Sequence, residues 1–354
     1  MKQASDSVNC QLTAIDLFCG AGGLTLGLQQ AGFKVLAGVE KEEIPAETYR
    51  MNHPDVLCLQ EDIRSIDPHQ LRRQLNLEVG ELSLLAGCPP CQGFSTLRTR
   101  NKTIAVDDDR NDLLFEYLRF VQAFMPQALM MENVPALMRD VRMKNLLSSL
   151  ADFGYDIFPD SVRVEDAANY GVPQRRKRMI MQLLKKGGVP KPQITNPITV
   201  QECFLCAGLK PVGQSNDPMH DYLPKRNVKI TELIKAIPKD GGSRFSLPDH
   251  LVLPCHKRNP RGFRDVYGRM TWGEVAPTIT GGCGNPSKGR YLHPEEDRAI
   301  SLREAAVLQT FPVDYKFSLS KGREKVALMI GNALPPEFIK RHAQVIAEQL
   351  KNHK

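Results

Sequence analysis

Cys91 lies in the stretch Gly87-Cys88-Pro89-Pro90-Cys91-Gln92-Gly93-Phe94-Ser95, behind an apolar run, Leu82 to Ala86, that reads as a buried strand. Two prolines fix the backbone ahead of the thiol. Open α/β sheets collect their chemistry outside the carboxyl ends of the strands, which is where this cysteine falls. Taken alone, such a residue is either a nucleophile acting as its thiolate or a buried apolar group in a rigid loop. Cys88-x-x-Cys91 also has the spacing of a redox pair. That reading leaves the other reactive groups of the chain without a role.

Those groups follow other apolar runs. Ala128–Met131 leads into Glu132-Asn133-Val134, a carboxylate at a strand end. A buried Glu there either titrates high or is paired, and it also suits a helix start. Gln174-Arg175-Arg176-Lys177-Arg178 enters the run Met179–Leu184. Strand alternation sends Gln174, Arg176 and Arg178 to one face, the alternative being a solvated basic edge. Near the N-terminus, the run Leu12–Phe18 overlaps Asp16-Leu17-Phe18-Cys19-Gly20-Ala21-Gly22-Gly23 and a helix follows. Glycines there let the backbone approach a ligand at a helix start. Thr25 stands where the third glycine of the dinucleotide fingerprint belongs, so a pyrophosphate is not specially favoured. Glu40 closes the second strand, where an acidic side chain holds ribose hydroxyls. Glu61-Asp62-Ile63 closes the third, within reach of an adenine amino group. Three successive strand ends bearing Gly, Glu and Asp point to a nucleoside site.

The elements that must position these residues alternate along the first half. Leu12–Phe18, Lys34–Val39, Val56–Gln60, Leu82–Ala86, Ala128–Met131 and Met179–Leu184 read as strands. Leu24–Ala31, Pro45–Met51, Pro68–Leu75, Asp112–Phe124 and Val141–Phe153 read as helices between them. The alternation predicts an α/β fold with a Rossmann-like, mostly parallel sheet and helices on both faces. From Lys185-Lys186-Gly187-Gly188 to about Pro286 the chain turns rich in Pro, Gly and charge, which predicts a small, irregular, β-rich domain. Helical pattern returns at Ser301–Gln309, Arg323–Ile330 and Pro336–Leu350. The expected division is 1–186 as catalytic and cofactor domain, completed by 321–354, with 187–320 as recognition domain and hinge.

Charge follows the same division. The chain of 354 residues carries a formal net charge of +7, of which residues 1–184 supply −4 and residues 185–290 supply +9. A basic segment beside a near-neutral one is the electrostatic footprint of nucleic-acid binding. No apolar run reaches the ~20 residues needed to span a bilayer, and the polar Met1–Gln11 lacks a secretory h-region. Nine scattered cysteines argue for a reducing, cytoplasmic setting rather than a disulfide framework. No second CxxC follows Cys203-x-x-Cys206, so no metal site is expected.

Taken in order, these motifs resemble the cytosine-C5 DNA methyltransferases of the bacterial modification type. Asp16–Gly23 is similar to the family's cofactor loop, Pro90-Cys91-Gln92 to its catalytic cysteine motif, Glu132-Asn133-Val134 to its base-binding motif and Gln174–Arg178 to its Q-x-R-x-R motif. Arg303-Glu304-Ala305-Ala306, running on to Phe311-Pro312, resembles the segment that supports the recognition domain. Gly331-Asn332-Ala333-Leu334-Pro335-Pro336 resembles the last motif, which returns to the cofactor pocket.

The resemblance implies a flipped cytosine attacked at C6 by Cys91, with Glu132 at N3 and with Arg176 and Arg178 on the O2 side and orienting Glu132. It implies S-adenosylmethionine held by Phe18, Gly20, Gly22, Gly23, Glu40, Asp62, Ile63, Pro90, Leu113, Asn332 and Ala333. Lys41 departs from the aromatic residue often found after the acidic one. The polar stretch from Gln92 to Arg110 corresponds to the family's mobile loop. The implied DNA contacts are Gln92, Ser95, Arg98, Arg258, Arg261, Arg269, Thr278 and Thr280, with Arg264, Lys288, Arg290 and Trp272 as further candidates. The implied partners are double-stranded DNA and a cognate restriction endonuclease acting on the same site, for an enzyme working as a monomer. An RNA substrate would keep the chemistry, but the Cys-Phe-Thr signature of the tRNA-directed branch is absent from the sequence. A non-catalytic DNA-binding regulator is the rival of another class.

Overall fold

The computed structural model describes residues 11–90, 113–260 and 262–352. Seven strands form one sheet: β1 (Thr13–Leu17), β2 (Lys34–Val39), β3 (Leu57–Leu59), β4 (Leu84–Gly87), β5 (Ala128–Asn133), β6 (Val162–Asp166) and β7 (Lys177–Leu184). Their order is β3-β2-β1-β4-β5-β7-β6. The first five run parallel, while β7 is antiparallel to both β5 and β6. The order reverses between β1 and β4, and the crevice beyond a reversal of this kind is where open sheets bind ligands. The loop after β1 and the Cys88-Pro89-Pro90 segment after β4 both open onto that point.

Alternation along the strands divides the core. Ile15, Leu17, Leu85, Leu129 and Met131 face one side of the sheet. There they meet α3 (Pro68–Gln74), α4 (Leu113–Phe124) and α5 (Val141–Asp152), through side chains such as Leu71, Tyr117, Phe120 and Leu146. Ala14, Leu84, Ala86, Ala128 and Met130 face the other side and pack against α1 (Gly23–Gln30) and α12 (Pro336–Asn352). Burial on both faces explains why the central strands read as continuous apolar runs. Gly27 is where α1 meets α12, since an added Cβ would sit 2.6 Å from Ile339. The antiparallel edge strand β6 was not foreseen. Its Val-Arg-Val-Glu-Asp pattern is half polar and lacks an apolar run.

The basic segment differs more from expectation. Among the described residues, nothing between β7 and α10 (Leu302–Leu308) is a named strand. The segment holds short helices instead: α6 (Val200–Cys206), α7 (Pro218–Asp221), α8 (Val228–Ala236) and α9 (Pro254–Arg258). Isolated bridges join Arg269 to Leu292 and Leu292 to Ala299. Its expected β-rich character is therefore replaced by helices and turns around two apolar clusters. One cluster joins Phe204, Met270 and Ile279 to α10 and to α11 (Arg323–Asn332). The other gathers Leu233, Ile234, Val266 and Leu292.

Candidate active site

The glycine loop begins at the end of β1 in backbone few side chains accept. Phe18, Gly20 and Gly22 all have positive φ, of 64°, 55° and 93°. Cys19 N–H donates to Val39 on β2, and Gly20 N–H donates to Glu40 Oε2 at 3.0 Å. The other Glu40 oxygen accepts from Glu42 N–H at 2.7 Å, so the carboxylate braces the glycine turn while burial raises its pKa. Among the described residues, a Cβ on Gly20 would meet nothing within 4 Å. Behind it, Asp16 is fully buried, accepts from Thr25 Oγ1 at 2.6 Å and keeps Oδ1 without a hydrogen-bond partner. Burial pushes its carboxyl up to about 7. Glu40 thus stands half-buried against the loop, while the Asp16 carboxyl lies in the core behind it.

Asp62 is engaged within the chain. It accepts from Arg64 N–H at 3.1 Å, and its carboxylate pairs with the Arg64 guanidinium at 2.7 Å and with Lys41 Nζ at 3.0 Å. These cations hold it well below the usual carboxylate range. Lys41 therefore bridges to the third strand end in place of offering a ring. Ile63 and Leu113 are buried nearby in the sheet core, and Pro90 and Asn332 are exposed.

At the end of β5, Glu132 and Asn133 divide their tasks. Asn133 Nδ2 donates to Pro89 O at 3.0 Å and so ties the Pro-Pro segment after β4 to β5. Glu132 is buried and pairs with Arg178 Nε at 2.8 Å. Burial raises its pKa, opposed by the positive charges of Arg178 and Arg176. The Cys88 thiol beside it is pushed well above its ordinary value by burial and by Glu132, so it is held neutral and is not a thiolate. Cys91 lies outside the described residues, as do Gln92, Ser95, Arg98 and Arg261.

Gln174 and Arg176 are buried, while Arg175 and Lys177 between and beside them are exposed. Arg176 does not orient Glu132 through its guanidinium, contrary to expectation. It donates to Ile279 O at 2.9 Å, Gly331 O at 3.1 Å and Ala333 O at 3.2 Å. Of the two arginines, Arg178 is the one that reaches the carboxylate. Gln174 does similar bracing: its Oε1 accepts from Ile279 N–H and its Nε2 donates to Leu308 O.

The expected DNA contacts divide. Arg258, Arg264 and Lys288 are exposed. Arg269 is not available to DNA: it is wholly buried, donates to the carbonyls of Ile234, Ile237, His293 and Glu296, and pairs with Asp297. Arg290 likewise donates to Gly241 and Arg269 carbonyls. Thr278 Oγ1 donates to Arg175 O at 2.6 Å, and the Thr280 hydroxyl lies 2.8 Å from that of Tyr291. Trp272 is packed edge-on to Phe204 and His293. Cys203 is buried against Val307 O while Cys206 is exposed. Sequence reasoning passed over Asp16 and Cys88 as neighbours of the reactive groups, although both stand inside the motifs it used.

The glycine loop after β1, the Cys88-Pro89-Pro90 segment and a buried Glu–Arg pair converge on one switch point. The family model for C-5 cytosine-specific DNA methylases matches residues 12–349. The chain belongs to that family. A Type II methylase of Herpetosiphon aurantiacus, M.HgiDII, is 35% identical over 95% of this chain and 94% of its own length. M1.HphI of Haemophilus parahaemolyticus is 33% identical over 95% and 86%. Among solved structures, a DNA modification methyltransferase encoded within a prophage of E. coli superposes with a TM-score of 0.69 at 24% identity, covering 96% of this chain and 99% of that one. Dnmt2 of S. pombe gives 0.61 at 16%, with coverage of 96% and 99%. At these identities the structures speak for the fold alone. Among the described residues, no helix of this methylase is long and apolar enough to cross a membrane.

Proposed function

We propose that this C-5 cytosine methylase modifies one cytosine within a short site in duplex DNA, with Cys91 as nucleophile and Glu132 and Arg178 as the groups that hold the base. The observation that carries the reading is the buried Glu132–Arg178 pair beside the Pro89 segment that leads to Cys91. Cytosine C5 is a poor nucleophile. Addition of the Cys91 thiolate at C6 moves electron density toward N3 and O2 and leaves C5 nucleophilic. Glu132, whose carboxyl is raised by burial, donates a proton or hydrogen bond to N3, and Arg178 keeps that carboxyl oriented while lying nearest to developing charge. Arg176 serves as a brace that holds Ile279 and Gly331 against the same pocket. After methylation, loss of the C5 proton and expulsion of Cys91 restore the ring.

S-adenosylmethionine, when bound, supplies the activated methyl group. The residues present fit it: Gly20 leaves space among the described residues, and the half-buried Glu40 beside it is the proposed acceptor for ribose hydroxyls. Phe18, Gly22, Gly23, Asp62, Ile63, Pro90, Leu113, Asn332 and Ala333 complete the proposed site. The cytosine is flipped from the stack, at a cost of a few kcal/mol. Residues 187–320 are proposed to read the site, with exposed Arg258, Arg264 and Lys288 offered to the duplex. The Type II names of the relatives support a role as the modification half of a restriction–modification pair. The enzyme is proposed to act in the cytoplasm as a monomer.

Bisulfite sequencing of plasmid DNA from cells expressing the chain, beside a Cys91→Ala control, tests this. Methylation of one short motif, absent in the control, is the expected result. Unmodified DNA from cells holding folded protein would remove DNA modification from the lead.

A further inference from the structure

Gly22, in the cofactor loop, faces two side chains from distant parts of the chain. A Cβ there would lie 2.5 Å from His53 Nε2 and 2.6 Å from the Tyr315 hydroxyl, so no larger residue fits without moving both. Tyr315 sits between β1 and the C-terminal third, and its hydroxyl donates to Ala21 O at 2.6 Å. His53 Nε2 lies 3.1 Å from the same hydroxyl, and its Nδ1 lies 3.1 Å from the Gln29 amide on α1. Both rings are buried, and Tyr315 packs on Phe311 and Phe317. Burial pushes the His53 imidazole down to about 4, which keeps it neutral across the working range. The loop that Glu40 braces from the front is therefore braced from behind by a phenol.

Tyr315 is itself held. Arg303 on α10 donates from Nη1 to Tyr315 O at 2.8 Å, and its Nε pairs with Asp217 at 2.5 Å. Asp217 caps α7 inside the basic segment through Met219 N–H. A continuous line of hydrogen bonds thus runs from the basic segment, through Arg303 and Tyr315, to the carbonyl of Ala21.

We infer that Tyr315 is a positioning residue for the cofactor loop, and that Asp217 and Arg303 transmit the placement of the basic segment to it. This rests on the proposed reading of Gly20–Gly23 as the S-adenosylmethionine site. Ala21 O, once deprived of the hydroxyl, is a buried acceptor without a donor, and the loop relaxes to satisfy it. The consequence is a fall in cofactor affinity with little change in the folded core, because the ring and its packing remain.

Titration calorimetry with S-adenosylmethionine on the full chain tests this, using the parent, Tyr315→Phe and Asp217→Asn. Tyr315→Phe should raise the cofactor Kd about tenfold. It should raise the cofactor KM in parallel, with kcat at saturating cofactor and the DNA KM within about twofold. Asp217→Asn keeps the helix cap but loses the charge on Arg303, and should raise the cofactor Kd by about two- to threefold. A parent that binds no S-adenosylmethionine overturns the site reading and the inference together. A parent that binds it while Tyr315→Phe binds equally well overturns the inference alone. So does a Tyr315→Phe protein that loses cofactor and DNA affinity together with a large drop in Tm, which would mark general loosening. An unchanged Kd in Asp217→Asn removes the link to the basic segment.

Discussion

Arg178 Nε lies 2.8 Å from Glu132 Oε1, on antiparallel strands whose pairing sets Glu132 opposite Ile180. Register alone brings the two together: the arginine two residues before Ile180 projects from β7 on the side where β5 ends. Arg176, just ahead of the strand, reaches three backbone carbonyls instead. Two arginines two residues apart thus do different work, one on the carboxylate and one on the framework.

Removing the acid without changing its shape isolates the first role. Glu132→Gln keeps a hydrogen-bonding group but cannot cycle a proton, and kcat should fall by about 10²–10⁴. Cofactor Kd should stay within about twofold. Single-turnover methylation of a duplex carrying the site measures this, and a kcat near that of the parent would remove Glu132 from the chemistry.

Asp16 makes a pH signature. Its carboxyl rises from 3.8 to about 7 on burial, so the folded protein keeps a proton that the unfolded chain releases. A raised pKa makes its contribution most favourable below about 4, and that contribution declines as pH rises to about 7. The full difference is of order 4 kcal/mol. Asp16→Asn cannot ionise. Relative to the parent it should gain stability steadily from pH 4 to 7 and hold the gain above that. Urea unfolding of the ligand-free proteins at pH 5 and pH 8 gives the comparison. A difference between them that does not vary with pH would show that Asp16 ionises normally.

Arg269 and Arg258, both in the basic segment, should separate cleanly. Arg269→Met leaves four carbonyls and Asp297 without a donor they now share, and should cost about 3–5 kcal/mol of stability. Arg258→Ala touches an exposed side chain and should leave Tm unchanged. If Arg258 meets a phosphate, DNA affinity falls and the slope of log K against log salt becomes shallower by about 0.9. A salt titration by fluorescence anisotropy decides it, an unchanged slope meaning that Arg258 touches no phosphate.

The parallel half of the sheet was legible because strands buried on both faces need uninterrupted apolar runs. Lys34–Val39 is found with the limits expected of it. β6 escaped notice because an edge strand needs no such run, and Arg163 and Glu165 there pair with each other at 3.1 Å. Glycines and acidic residues at strand ends gave away the rim of the site, since their types are tied to local backbone demands. The fate of each arginine was not legible. Arg258 and Arg269 are alike in sequence, and only the fold shows that four carbonyls converge on one of them. Thr278 illustrates the same limit, because its partner is the carbonyl of Arg175, about a hundred positions earlier in the chain.

The packing of α1 against α12 bears on synthesis. Gly27 and Leu28 sit in the helix that follows the glycine loop, yet their neighbours Phe338 and Ile339 leave the ribosome far later. Translation leaves that side of the nascent sheet bare until residues 336–352 arrive, so a chain that stalls before them exposes an apolar face. Shielding of the early strands is thus written in codons far downstream of those that encode them.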